Sequence, residues 1–184
     1  MHLEPTPLAG LYVISPQLIQ DERGFFMEVY RQDVLKEQGI EAQFVQSNHS
    51  RSVGPVLRGL HFQWNKPLGK LIRVINGAAY MAAVDIRPKS ASFRQWFGGE
   101  FSAANKKLLW APPGLATGFC VVGEAAEVEY QYTALYNQKG EGNILWNDPE
   151  FHIPWPIENP IISPRDAAAP TLAEWLKRPE AQMW

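Results

Sequence analysis

Cysteine is nearly absent from this chain. The single Cys120 lies in the apolar run Gly118-Phe119-Cys120-Val121-Val122 without a partner, so an intrachain disulfide is excluded and a reducing compartment fits. Histidine is scarce as well. His2, His49, His61 and His152 contain no His-x-His pair, whereas a metal-binding barrel wants two or three histidines at close strand spacing plus a carboxylate. Metal catalysis is therefore discounted, and no metal ligand is assigned. The chain also lacks a nucleophile elbow, a Gly-x-Gly-x-x-Gly loop and a Walker loop, which leaves hydrolase, dinucleotide and nucleoside-triphosphatase readings without support. No long basic block is present, and 17 Lys and Arg against 19 Asp and Glu give a net charge of -2. A nucleic-acid partner is excluded on that footing, although a local anion pocket stays open. Finally, no run of about 18 apolar residues occurs, and Met1-His2-Leu3-Glu4-Pro5 has neither the positive start nor the apolar core of a signal peptide. No membrane partner and a cytoplasmic location are expected.

What is present is aromatic and frequently interrupted. With 46% hydrophobic residues, including seven Trp and nine Phe, the 184 residues can build a sizeable core within one domain, residues 1–184. Fifteen prolines and fourteen glycines break the chain at the rhythm of short strands joined by turns. Strand pieces are expected at 11–14 and 17–19, then a turn at Asp21-Glu22-Arg23-Gly24 and a strand over 25–30 that alternates Phe25, Met27 and Val29 against Phe26, Glu28 and Tyr30. A short helix follows at 31–38 with Val34 and Leu35 inward, and then a strand over 42–49 that sets Phe44, Gln46 and Asn48 on one side. Further strands are expected at 56–63, 68–75, 78–87, 93–101, 108–111, 117–122 and 127–133. Asn76-Gly77 gives the strongest hairpin signal. Thr171-Leu172-Ala173-Glu174 is a capping box that opens a short terminal helix at about 171–177. About ten short strands and little helix indicate an all-β sandwich or jelly-roll barrel with short peripheral helices, whose mouth is a common ligand site.

The stretch with the most chemistry is Val56-Leu57-Arg58-Gly59-Leu60-His61-Phe62-Gln63. Neutral imidazole can take a proton from carbon near neutral pH, yet a lone histidine on an apolar strand is more often a satisfied core residue, and both readings stand on this stretch alone. Strict alternation puts Arg58 and His61 on opposite faces, and Gly59 is the natural place for a bulge that re-aims one of them. Tyr130 is expected to point inward with Val128 and Tyr132; its hydroxyl suits a structural hydrogen bond or an acid. A histidine, a tyrosine, a lysine and arginines carried by strands of one barrel are also the set needed for proton abstraction beside a carbonyl: a base, an acid and a cation for the enolate oxygen.

Several stretches form an ordered set: 21–28 (Asp-Glu-Arg-Gly-Phe-Phe-Met-Glu), 44–48 (Phe-Val-Gln-Ser-Asn), the focal stretch 56–63, Gly69-Lys70-Leu71, 83–87 (Ala-Val-Asp-Ile-Arg) and Trp146-Asn147-Asp148-Pro149. Taken together, in order and spacing from about residue 10 to 170, they resemble the dTDP-4-dehydrorhamnose 3,5-epimerase family. The resemblance implies a cupin-type jelly roll acting as a homodimer on a nucleotide sugar, without metal or organic cofactor. It implies His61 as the base oriented by Asp166, Tyr130 as the acid on the other face of the sugar, and Lys70 at the enolate. Arg58 would meet the diphosphate; Arg23, Phe26 and Glu28, with Arg23 and Glu28 reaching in from a second subunit, would join Gln46 and Asn48 at the nucleotide and phosphates. Tyr136 falls where the family stacks a ring on the base, and Glu141 falls at another binding position.

Two departures bear on specificity. The family's Pro-x-Gly-Phe-Ala-His-Gly-Phe reads Pro113-Gly114-Leu115-Ala116-Thr117-Gly118-Phe119 here, with Thr117 in the histidine's place. Its Ser-Glu-Lys-Asp reads Ser163-Pro164-Arg165-Asp166, which keeps a cation in Arg165 but changes its shape. Both fall in the expected substrate shell. They put in question which sugar and which carbon is handled, including inversion at C3 alone or C5 alone, and they leave base and acid in place.

Overall fold

The computed structural model describes Met1–Met183 and consists largely of antiparallel strands, arranged as a cupin-like barrel. Two long strands hold the two layers together. β7 (Lys70–Asp85) and β10 (Leu115–Tyr132) pair with each other along most of their length and bend together from one layer into the other. In the first layer, the opening half of β7 lies against β9 (Leu108–Ala111), which continues to β2 (Tyr12–Ser15) and β1 (His2–Pro5). On the other side, the closing half of β10 carries β5 (Gln46–Val53). In the second layer, the closing half of β7 pairs with β8 (Trp96–Ser102), and the opening half of β10 pairs with β6 (Leu57–Gln63) and, through it, β11 (Glu141–Asn143).

The bend falls at Asn76-Gly77, where a hairpin was expected. Gly77 has φ of 73°, and a Cβ there would sit 2.0 Å from the carbonyl oxygen of Ala125. The dipeptide supplies its left-handed backbone to a corner within one strand instead of a chain reversal, because register with β10 resumes on both sides of it. The same bend joins the expected strands 117–122 and 127–133 into β10. Three other strands are displaced by three residues or more. The strand expected at 25–30 is only β4 (Gly24–Met27), paired with β3 (Leu18–Asp21) in a separate hairpin. The strand expected at 42–49 starts at Gln46, because Tyr30 and Phe44 turn into a small cluster with their rings 4.8 Å apart. β8 starts at Trp96 because Ser90 and Ser92 instead fold back onto the fully buried Asp85.

Three hydrophobic groups fix the layers. Ile72, Val74, Met81, Val121 and Val128 meet between the layers with Phe101 and Leu109. Behind the first layer, helix α1 (Gln32–Glu37) lays Leu35 over Ile14, Leu71 and Trp110. Behind the second, Leu60, Phe62 and Val84 are covered by Phe151, Leu172 and Trp175 of the chain's last third. The terminal helix α3 (Leu172–Trp175) has the complete capping box read from Thr171 and Glu174. Cys120 is fully buried, and burial pushes its thiol up to about 11, which leaves it protonated and inert. No helix among the described residues is long and apolar enough to cross a membrane.

Candidate active site

Phe62 and Leu60 turn outward into the cluster beneath α3, so period two directs His61 into the barrel. Regular alternation would send Arg58 outward with Leu60. Instead Arg58 pairs with Phe119 and His61 with Thr117, three steps along β6 against two along β10, and both side chains line one cavity. Gly59 makes this possible. It has φ of 129°, and a Cβ on it would lie 2.5 Å from the Cα of Gly118, so a side chain here would push β6 off β10.

The cavity has a volume of about 340 Å³, within the range of small-molecule sites. Its lining joins the apolar Ile72, Met81, Leu109 and Val128 to a set of polar and charged side chains. His61 and Tyr130 come from facing layers, since Tyr130 pairs with Ile72 and Asn48 on the first layer while His61 belongs to the second. A flat ring between them would show one face to each.

Asp166 stands behind His61, with Oδ1 2.7 Å from Nε2. Helix α2 (Pro164–Ala167) places it there: Ser163 caps the helix by accepting from the Asp166 amide at 3.1 Å, and Pro164 opens the first turn. Burial raises the Asp166 carboxyl, but the bond and charge of His61, the Gly59 amide and Arg165 outweigh it and hold the group below the usual carboxylate range. An ionised Asp166 keeps the ring proton on Nε2 and leaves the Nδ1 lone pair free. The guanidinium Nη2 of Arg165 is 2.9 Å from the same Nε2. Two protonated nitrogens do not bond, so its ion pairs with Glu141 and Asp166 are what hold Arg165 in place.

Lys70 is 8% exposed, and its Nζ donates to the His61 carbonyl and to Thr117 Oγ1, each at 2.8 Å. Burial pulls its ammonium down from 10.5 to about 8, with Glu141 pushing the other way. Arg58 is steadied by its Nε donating to Ser52 Oγ at 2.8 Å. Gln46 Nε2 donates to Asn48 Oδ1 at 2.9 Å, and Gln46 Oε1 accepts from the Tyr136 amide at 2.9 Å. The Tyr136 hydroxyl donates to Glu141 at 2.8 Å.

The structure thus brings His61, Tyr130, Lys70, Gln46, Asn48, Arg58, Thr117, Tyr136, Glu141 and Arg165 to one cavity, with Asp166 directly behind. It does not bring Arg23, Phe26 and Glu28 there. Arg23 is 86% exposed and bonded to Asp21 at the hairpin tip, Phe26 is 62% exposed on β4, and Glu28 faces Arg31. Three participants were given no role at the site from the sequence. Tyr132 lines the cavity, and burial beside Tyr130 and Glu141 raises its hydroxyl. Gln63 is 3% exposed and clamps the 133–137 loop, donating to Lys66 and Leu135 carbonyls and accepting from the Asn137 amide at 2.7 Å. Ser52 carries Arg58. For Tyr132 and Gln63 the signal was period two from Tyr130 and His61. Among the described residues no group of three or more His, Cys, Asp or Glu stands close enough to hold a metal ion.

Fold and cavity together define a cupin-type barrel with a small-molecule site between its layers. The chain belongs to the dTDP-4-dehydrorhamnose 3,5-epimerase family, whose model matches residues 5–174. It is 45% identical to the dTDP-4-dehydrorhamnose 3,5-epimerase of Salmonella typhimurium over 93% of this chain and 95% of that protein. It is also 45% identical to the protein of the same name from Neisseria gonorrhoeae over 95% of this chain, which spans only 53% of that longer relative. Its fold superposes with a TM-score of 0.90 and 41% identity on a Legionella pneumophila dTDP-6-deoxy-D-glucose-3,5-epimerase solved in complex with dTDP-4-keto-L-rhamnose, covering 94% of this chain and 93% of that one.

Proposed function

We propose that this chain inverts a dTDP-4-keto-6-deoxyhexose at C3 and C5 through enolate intermediates, with His61 as base and Tyr130 as acid. The observation that carries this reading is the His61–Asp166 pair at 2.7 Å on one layer of a cavity whose other layer presents Tyr130. The 4-keto group acidifies the protons at the two flanking carbons. His61 removes one through its free nitrogen, and Asp166 stabilises the imidazolium that forms. The electron pair moves onto O4, where the Lys70 ammonium meets it. Tyr130 then delivers a proton from the opposite face, which inverts the carbon.

Arg58 and Arg165 at the mouth suit a diphosphate, and the 3,5-epimerase names of the 45%-identical relatives favour two inversions over one. Gln46 and Asn48 offer amide groups to the nucleotide side, and Tyr136 offers a half-exposed ring to the base. The site is completed in a homodimer. Leu18, Ile19, Phe25 and Phe26 leave the β3–β4 hairpin with an apolar surface that suits a second copy, and its Arg23 and Glu28 reach the neighbour's substrate. The protein works in the cytoplasm and needs no metal or organic cofactor.

Incubation with dTDP-4-keto-6-deoxyglucose in deuterated water tests the reaction: label at C3 and C5 is expected, and label at one carbon only would reduce the activity to a mono-epimerase. His61→Ala abolishes the exchange, and exchange at the unchanged rate in that variant refutes the mechanism.

A further inference from the structure

Thr117 is 6% exposed, and its place on β10 directly opposite His61 gives its hydroxyl two neighbours of unequal kind. Oγ1 accepts from Lys70 Nζ at 2.8 Å and faces the His61 carbonyl at 3.4 Å. That carbonyl is also the other acceptor of Lys70, at 2.8 Å. An ammonium has three N–H bonds. Two are thereby anchored on neighbouring strands, and the third remains for the cavity that both Lys70 and Thr117 line.

We propose that Thr117 is a positioning residue that aims the Lys70 ammonium at the oxygen on which charge develops when His61 takes a proton. This rests on the epimerase reading given above. Without the Thr117 oxygen, Lys70 keeps one fixed acceptor, the His61 carbonyl, and can rotate about it. The ammonium then reaches the developing oxyanion only part of the time, and the stabilisation lost belongs to the transition state more than to the bound ketone. Thr117 has a further effect on charge. Desolvation already lowers the Lys70 ammonium, and an oxygen accepting from Nζ is one of the few groups favouring the protonated form. The other ionisable groups of this cavity are Glu141 from β11, His61 and Arg58 from β6, Tyr130 and Tyr132 from β10, Tyr136 from the loop that follows β10, and Arg165 from α2.

The test compares wild type, Thr117→Val and Thr117→Ser by deuterium exchange and turnover of dTDP-4-keto-6-deoxyglucose over a pH series, with circular dichroism confirming the fold of each. Thr117→Val keeps the branched shape but loses the acceptor. It is expected to lower kcat by about tenfold or more, the effect of losing one hydrogen bond to a charged group, with KM changed far less. Its alkaline limb should also move to lower pH, and Thr117→Ser should restore both kcat and the limb. Equal kcat and an unmoved limb in Thr117→Val overturn the proposal. So does Thr117→Ser as impaired as Thr117→Val, since that identifies the methyl group and not the hydroxyl as what matters. If Thr117→Val does not fold, Thr117→Ser and Thr117→Ala decide: a folded pair with equal kcat refutes the proposal, and a serine advantage supports it. Absence of exchange in the wild type would instead sink the epimerase reading itself.

Discussion

Lys70→Met should make this protein more stable at neutral pH while destroying its catalysis, and the stability gain should fade as the pH rises. Methionine fits the lysine's stem without the charge. In the folded protein burial lowers the Lys70 ammonium from 10.5 to about 8. Below pH 8 the group is charged in both folded and unfolded chains, so the folded state carries the full penalty of the shift, about 3 kcal/mol. Between the two values the unfolded chain binds a proton that the folded one does not, stability rises with pH, and by about pH 9.5 only about 1 kcal/mol of the penalty remains. Against this, the variant loses the bonds to Thr117 and the His61 carbonyl, worth about 1 kcal/mol each. The net gain is therefore about 1 kcal/mol at pH 7, and it turns into a loss of similar size near pH 9.5. Urea unfolding of both proteins at several pH values measures it, with deuterium exchange as the catalytic readout. A stability difference that stays constant from pH 7 to 9.5 would refute the reasoning, because it would mean that Lys70 titrates alike in both states.

Asp166→Asn removes the charge that supports the imidazolium and should lower kcat by about two to four orders of magnitude with the fold intact; normal turnover would remove Asp166 from the base. Tyr130→Phe should still exchange deuterium into the substrate from the His61 side but should scarcely invert the carbon, so inversion at the wild-type rate in that variant excludes Tyr130 as the acid. Gly59→Ala meets Gly118 at 2.5 Å in a backbone conformation that alanine resists, and a loss of about 3 kcal/mol or more in chemical unfolding is expected. A variant as stable as wild type would show that β6 can move off β10 cheaply. Turnover should survive exhaustive chelation, and its loss with recovery on adding a divalent metal would contradict the acid–base reading.

Most of the strands were legible because period two is written into them, as in Val128, Tyr130 and Tyr132 of β10. What could not be read was where a strand ends. Asn76-Gly77 has the local chemistry of a hairpin, and nothing local distinguishes a chain reversal from a corner. The deciding fact is the partner strand: Glu127 and Ala126 continue the ladder opposite Asn76 and Gly77, so the chain bends with its neighbour instead of turning back. The same limit explains the short β4. The stretch from Phe25 to Tyr30 alternates well enough for a strand, but Val29 and Tyr30 are claimed by the cluster around α1 and leave the ladder.

The cavity shows a different division. Period two set His61 and Arg58 on opposite faces and marked Gly59 as the place for a bulge; only the family pattern, which gives both residues to one ligand, called for that bulge on β6. Asp166 lies 105 residues beyond His61, and no periodicity links them. Only the family pattern pointed to it, and the geometry explains why it works: Ser163 and Pro164 start a helical turn that aims a carboxylate at a fixed ring. Thr117 marks the opposite limit. The sequence shows a neutral hydroxyl where the family carries histidine, which by itself means one chargeable group fewer beside the sugar. In the folded chain that hydroxyl bonds to Lys70, so the exchange alters how a buried cation is held and not only what the sugar touches.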